Sequence, residues 1–226
     1  MPKKQKYLPT LQNDHDLLIV GARAVGLRLT NNQLEKFFSY LSLLQTWNSK
    51  INLTSIKDPS SIIRLHFLDS LAITPFISPN SRMLDIGSGA GLPGIPVKIA
   101  LPQKEVVLVE SQRKKANFLK EVGRMLGVKG LHIVEGRAET FAPEDIGPFR
   151  EIVTRALGTL KQTLRIAAPF LCSGGDCLVM HGPKGIQQFQ SMVDRISEFE
   201  FSKSRLESYF LPIGNERRNL LIYNKK

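Results

Sequence analysis

Cysteine is scarce and tryptophan almost absent, with two and one among 226 residues. The thiols, Cys172 and Cys177, lie in C-S-G-G-D-C with no second cysteine pair and no histidine cluster near them. A structural zinc site takes about four ligands at closer spacing, so no metal is expected and the cysteines read as reduced thiols. Long apolar runs are also missing. Each hydrophobic stretch is broken within a few residues by Lys, Arg, Pro or Gly, so none is expected to span a bilayer and no membrane partner is expected. The first residues, MPKKQKYLPT, are basic but lack the apolar core of a secretory signal, and they are not the Arg- and Ser-rich kind of an organelle address. A cytoplasmic location is the expectation. No internal repeat or low-complexity tract occurs.

Acidic residues are in deficit: 20 against 31 Lys and Arg, a net charge of +11. Such a field favours a polyanionic partner, of which nucleic acid is the commonest. What remains is the composition of a folded chain, 42% hydrophobic and 23% charged. Its length suits one sizeable domain with an appendage, or two small ones. Oligomeric state is not legible, and a monomer is the default.

Beyond a loose basic arm, apolar residues recur at helical intervals. Leu17, Leu18, Val20, Ala24 and Val25 form one stripe, which Gly26 ends. Leu34, Phe37, Phe38, Leu41, Leu44 and Trp47 form another, behind a Thr30 cap. Asp58-Pro59 opens a third helical region running to Phe76, interrupted by the polar Arg64, His66 and Asp69. The texture changes after Ser81. Strand-like runs at 82–86, 105–110, 131–134, 151–154 and 176–181 alternate with helical stretches, one of them capped by Ser111. Alternation implies parallel pairing through crossovers. The last two runs, 206–211 and 218–223, are separated only by 212–217 and should pair antiparallel. The expected fold is α/β: a Rossmann-like methyltransferase sheet over 81–226, mostly parallel with a C-terminal antiparallel hairpin. An N-terminal basic arm and helical subdomain occupies 1–80.

After the first strand stands G-S-G-A-G-L-P-G (87–94). Counted from Gly89 it is the G-x-G-x-x-G of a dinucleotide turn; counted from Asp85 it has the spacing of a methyl-donor turn. Asp85 would repel a pyrophosphate but suits the cationic end of S-adenosylmethionine. Pro93 and Pro96 remove N–H donors where a pyrophosphate would need them. Glu110, ending the second strand, can accept from ribose hydroxyls with either cofactor. Asp85, Gly87, Gly89 and Glu110 are therefore candidate contacts to S-adenosylmethionine. Strand ends carry basic residues suited to a phosphate-binding rim: Arg113, Lys114 and Lys115, then Arg137, Arg155 and Lys184. His15, His132 and His181 have no carboxylate–nucleophile arrangement and read as structural. Neither cysteine follows a proline, which argues against pyrimidine-C5 chemistry. The run Val153-Thr154-Arg155-Ala156 is not the Pro-rich motif of adenine-N6 methyltransferases.

Several stretches together resemble one family: W-N-S-K-I-N-L-T-S-I-K-D-P (47–59), R-L-H-F-L-D-S-L (64–71), L-D-I-G-S-G-A-G-L-P-G-I-P (84–96), G-R-A-E (136–139), T-R-A (154–156), H-G-P-K-G (181–185) and E-R-R-N-L (216–220). They are similar to the bacterial small-subunit ribosomal RNA guanine-N7 methyltransferases, also called glucose-inhibited division protein B. The likeness runs from about Asp14 to the C-terminus and departs at Thr154, where the family commonly has Ser. The resemblance implies S-adenosylmethionine as cofactor and methylation of N7 of one guanine in the decoding-region loop of 16S rRNA. The partner is then that rRNA or the small ribosomal subunit. Its cofactor contacts fall on Gly87, Leu92, Ala138, Glu139 and Arg155, with Arg155 positioned where donor and acceptor meet. Arg64, His66 and Arg217 join the RNA-binding candidates, His66 being equally readable as a satisfied imidazole. Guanine N7 has an in-plane lone pair and no proton, so direct in-line attack without a general base is expected. The remaining task is positioning and exclusion of water. Because N7 faces the narrow groove of A-form RNA, a loop or splayed base is the expected substrate.

Overall fold

The computed structural model describes residues 13–155, 157–183, 185–214 and 216–226. The basic arm and Lys184 lie outside them.

Two helices open the chain, α1 (Asp14–Ala24) and α2 (Asn31–Ile51). Asn13 caps α1 by accepting from the Asp16 N–H. Thr30 and Gln33 form a reciprocal capping box on α2, satisfying two donors that a helix start leaves orphaned. The third helical region is not one regular helix. Asp58 and Pro59 open α3 (Pro59–Ile62), a π-helical segment follows (Ile63–Leu68), and α4 (Asp69–Leu71) completes it.

The sheet comprises β1 (Arg82–Ile86), β2 (Glu105–Glu110), β3 (Leu131–Glu135), β4 (Phe149–Arg155), β5 (Leu171–His181), β6 (Phe201–Phe210) and β7 (Arg217–Lys225). Its order is β3-β2-β1-β4-β5-β7-β6. β1 to β5 pair in parallel, and β7 pairs antiparallel with both β5 and β6. β5 and β6 each begin five residues before their expected starts. Between strands lie α5 (Gly94–Ala100), α6 (Arg113–Leu126), α7 (Pro143–Ile146), α8 (Leu160–Ala167) and α9 (Gly185–Met192). Ser111 does not cap α6. Gln112 holds the cap position, and the Glu110 carboxylate takes the Gln112 N–H at 2.7 Å.

Successive strand residues face opposite layers. Met83, Val106, Leu108, Val153 and Leu178 join the core beneath α2, α5 and α6. Leu84, Val107, Val109, Ile152 and Val179 join the core beneath α8. Residues of α1, α2 and the π-helical segment belong to the first of these clusters. The N-terminal helices thus share a core with the sheet. Trp47 lies 5.7 Å from Phe118 of α6, and Phe37 is fully buried, so these aromatics are packing residues. No described helix is long and apolar enough to cross a membrane.

Candidate active site

The strand order reverses between β1 and β4, and in open parallel sheets ligands bind at the carboxyl ends beside such a switch point. The glycine turn leaves β1 there. Gly87 has φ +72°, and a Cβ on it would stand 2.8 Å from Leu157 Cδ1 on the opposite side of the switch. Gly94 is required for closeness: a Cβ there would lie 2.3 Å from a Leu108 methyl and 2.8 Å from Asp85 Oδ2. Most of the turn's N–H groups are taken up by the turn itself and by the end of β2. Gly87 and Ser88 donate to Val109 O at 2.9 and 3.1 Å, and Gly91 and Leu92 to Ser88 O at 2.7 and 3.1 Å. Gly89 donates to Glu110 Oε2 and Gly94 to Asp85 Oδ2, both at 2.8 Å. Tyr40, buried on α2, donates its hydroxyl to Ala90 O at 2.5 Å. Gln33 Nε2 donates to Ile99 O and Ala100 O where α5 ends.

Asp85 lies under this turn with no solvent exposure, and its Oδ1 has no partner among the described residues. Burial raises its carboxyl to about 7; nearby Glu110 adds to the rise, while the Gly94 N–H and the Arg155 charge oppose it.

Two cavities open at the carboxyl ends of the strands, one beside the turn and one at the ends of β4 and β5. The first, of about 470 Å³, is lined by Gly87, Arg137, Ala138 and Glu139, and by Leu157 and Gln162 across the switch. Four of the expected site residues thus meet in one cleft. The second, of about 340 Å³, is lined by Asp69, Arg155, Met180, His181, Tyr209 and Arg218. Arg155, the last residue of β4, belongs to this second cavity and not to the first. Glu110 sits behind the turn with both carboxylate oxygens on backbone N–H groups. Leu92 packs against the core below, and Gly89 is half-buried.

Around Arg155 the polar groups interlock. Its Nη2 donates to Leu65 O and reaches His66 Nδ1, each at 3.3 Å, and lies 3.6 Å from Asp69 Oδ2. Its Nη1 is buried without a partner among the described residues. Asp69 Oδ1 accepts from the Tyr209 hydroxyl at 3.3 Å and faces Arg218 Nε at 3.5 Å. Burial raises the Asp69 carboxyl, and Arg155 and Arg218 oppose the rise. His66 is buried, with Nε2 2.7 Å from Thr54 Oγ1. Burial, reinforced by Arg155, lowers the His66 imidazole to about 4. It is neutral at neutral pH; a proton on Nε2 lets Nδ1 accept from Arg155, whereas a proton on Nδ1 donates to Leu65 O at 3.1 Å.

The remaining candidates are dispersed. Arg64 is ion-paired with Glu216, which bridges the π-helical segment to the link before β7. Arg113, Lys114 and Arg217 are exposed, and Lys115 is half-buried. Sequence reasoning missed Asp69, Tyr209 and Arg218, and it set His181 aside as structural. Asp69 did carry a signal, a carboxylate in an otherwise apolar helical run. Arg218 could not be told from Arg217, because neighbours in a strand face opposite sides and the parity is set by pairing with β5 and β6.

The sheet order, the terminal hairpin and the glycine turn at the switch point define a Rossmann-like methyltransferase. The fold is shared with fibrillarin of Aeropyrum pernix in complex with S-adenosylmethionine, at a TM-score of 0.51 and 14% identity, over 64% of this chain and 66% of that one. Residues 33–221 match the family model described as rRNA small subunit methyltransferase G. Two bacterial relatives bear the name ribosomal RNA small subunit methyltransferase G. That of Acetivibrio thermocellus is 36% identical, over 92% of this chain and 87% of the relative. That of Methylobacillus flagellatus is 38% identical, over 90% and 95%. The chain belongs to the rRNA small subunit methyltransferase G family.

Proposed function

We propose that this protein transfers a methyl group from S-adenosylmethionine to N7 of one guanine in the decoding-region loop of 16S rRNA, by direct in-line displacement. The observation that carries the donor assignment is the state of the glycine turn. A pyrophosphate needs free N–H groups at such a turn, and here those of Gly87, Ser88, Gly89, Gly91, Leu92 and Gly94 are already donated to Val109, Ser88, Glu110 and Asp85. Glu110, and Asp85 when ionised, would also repel it. A sulfonium cation suits the same place, since Asp85 Oδ1 is buried and has no partner among the described residues. The first cavity has the size of a small-molecule site, with Gly87, Ala138 and Glu139 to hold the nucleoside end and Glu110 to fix the turn.

The bound donor supplies an electrophilic methyl group. The protein supplies orientation through the two cavities, and Arg155 beside the acceptor. Family membership and the +11 charge support rRNA as substrate. Two observations disfavour pyrimidine-C5 chemistry. Cys177 is buried with its thiol pushed up to about 12, and Cys172 lies near the opposite end of β5 from the site. N7 has no proton to lose, so Asp69 and the neutral His66 act as positioning groups and not as bases. Labelled S-adenosylmethionine is incubated with small subunits lacking the modification, and the labelled nucleotide is mapped. One labelled guanine, methylated at N7, is expected; label on another base, or none, overturns the reading.

A further inference from the structure

The acceptor side has a feature that methyl transfer alone does not require: a tethered arginine whose buried Nη1 has no partner among the described residues. Arg155 Nη2 donates to Leu65 O and lies 3.3 Å from His66 Nδ1, and Asp69 stands 3.6 Å away. Asp69 is itself fixed by Arg218 and Tyr209. Nη1 of the same guanidinium is buried without a partner among the described residues, and Arg155 lines the second cavity. A buried charged donor left unpaired is costly, and such groups persist where a ligand brings the acceptor.

The purine edge specifies which acceptor fits. Beside N7, guanine presents the O6 acceptor and adenine an amino donor. A free arginine grips guanine with two bonds, to O6 and N7. That grip would cover the N7 lone pair, which is the nucleophile. An arginine whose Nη2 is held by Leu65 O has lost the Nη1–Nη2 fork and presents Nη1 to the base. We propose that Arg155 Nη1 donates a single hydrogen bond to O6 of the acceptor guanine in the cavity formed with Asp69, His181, Tyr209 and Arg218, selecting guanine over adenine while leaving N7 free. This rests on the guanine-N7 reading above. In the step it serves, N7 forms a bond to the methyl carbon as the carbon–sulfur bond breaks. The bonding pair leaves with sulfur as a thioether, and the purine ring gains the positive charge. No proton moves. Asp69 is a positioning residue: it holds the guanidinium and offsets positive charge in the cavity.

The test uses 16S rRNA assembled into small subunits with guanine, 2-aminopurine or 2,6-diaminopurine at the methylated position, read as single-turnover rates at saturating donor. The second base has hydrogen at position 6 and the third an amino group. Wild type should favour guanine, then 2-aminopurine, with 2,6-diaminopurine slowest. Intrinsic reactivity runs the other way between the last two, because the amino group feeds electrons to the ring. The wild-type advantage over Arg155→Ala should shrink by about tenfold from guanine to 2-aminopurine, the factor carried by one charge-assisted hydrogen bond. If the analogues are too slow to follow, affinities of the S-adenosylhomocysteine complexes for the three RNAs give the same comparison. An equal advantage for all three bases, or faster methylation of 2,6-diaminopurine than of 2-aminopurine by wild type, overturns the proposal. Failure of wild type to methylate the guanine RNA would sink the parent reading instead.

Discussion

Burial raises the Asp85 carboxyl from the ordinary carboxylate range to about 7. Between about pH 4, where an unfolded Asp titrates, and pH 7, the folded protein holds a proton that the unfolded chain releases. The resulting stabilisation is full below that window and is lost as pH rises through it. A cationic donor reverses the preference, since it favours the ionised carboxylate. Donor affinity should therefore rise as pH increases through about 7 in wild type and stay flat in Asp85→Asn, which keeps an oxygen for the Gly94 N–H. Calorimetry on either side of that pH decides it, and equal wild-type affinities would refute the assignment. Glu110 works differently, by accepting from Gly89 and Gln112 at once. Glu110→Ala strands two backbone donors at about 1–3 kcal/mol each where water does not reach them. We expect at least about tenfold weaker donor binding, a loss of about 1.4 kcal/mol, with Glu110→Gln intermediate because it keeps one acceptor oxygen. Unchanged affinity by calorimetry would remove Glu110 from the site.

At the scale of elements, the turn is braced from behind by α2. Tyr40 stacks on Phe67 at 5.1 Å and holds Ala90 O through its hydroxyl. Tyr40→Phe keeps the ring and removes one buried hydrogen bond, so stability should fall by about 1 kcal/mol. Donor affinity should fall with it, because the bond lost is to the turn. Denaturant midpoints with and without donor measure both, and a stability loss with intact affinity would make the brace purely structural. The π-helical segment is the other element that shapes the site. Its widened turn carries Leu65 and His66, both of which meet Arg155, and α4 then brings in Asp69. Wide turns of this kind often occur at functional sites. The sequence reads there as an amphipathic helix, since local periodicity does not distinguish a helix from a π segment stabilised by its neighbours.

For the whole molecule, the seam between the helical layer and the sheet is closed by a buried ion pair. Lys104 Nζ lies 3.0 Å from Glu151 Oε2 and donates to Ser78 O at 2.7 Å, and Glu151 Oε1 accepts from the Ser78 N–H at 3.0 Å. Both side chains are buried. Lys104→Met leaves a buried carboxylate uncompensated and should cost about 3–5 kcal/mol, whereas Lys104→Met with Glu151→Leu should recover much of it. Chemical denaturation reads both, and equal loss in the single and double variants would contradict this account.

The sequence by itself determined the sheet class, the terminal hairpin and the turn. Strand runs alternating with helical stretches, and the Asp85–Gly94 spacing, are local patterns set by periodicity and by backbone conformation that only glycine adopts easily. It also carried the family signature that the comparisons bear out. Element ends were less legible: β6 extends beyond its apolar run because β7 supplies the hydrogen bonds, and the added start of β5 meets β4 only at Leu171, across a register shift. What only the tertiary structure decided is which polar residues meet. Asp69, Arg155, Tyr209 and Arg218 come from α4, β4, β6 and β7, and no local pattern links them. Pairing across the sheet turns Arg218 inward and leaves Arg217 in solvent, and the helical layer tethers Arg155 through Nη2 while its Nη1 has no partner among the described residues. Such convergence is set by long-range packing, where a shift of one residue in register would send the neighbouring side chain into the site instead.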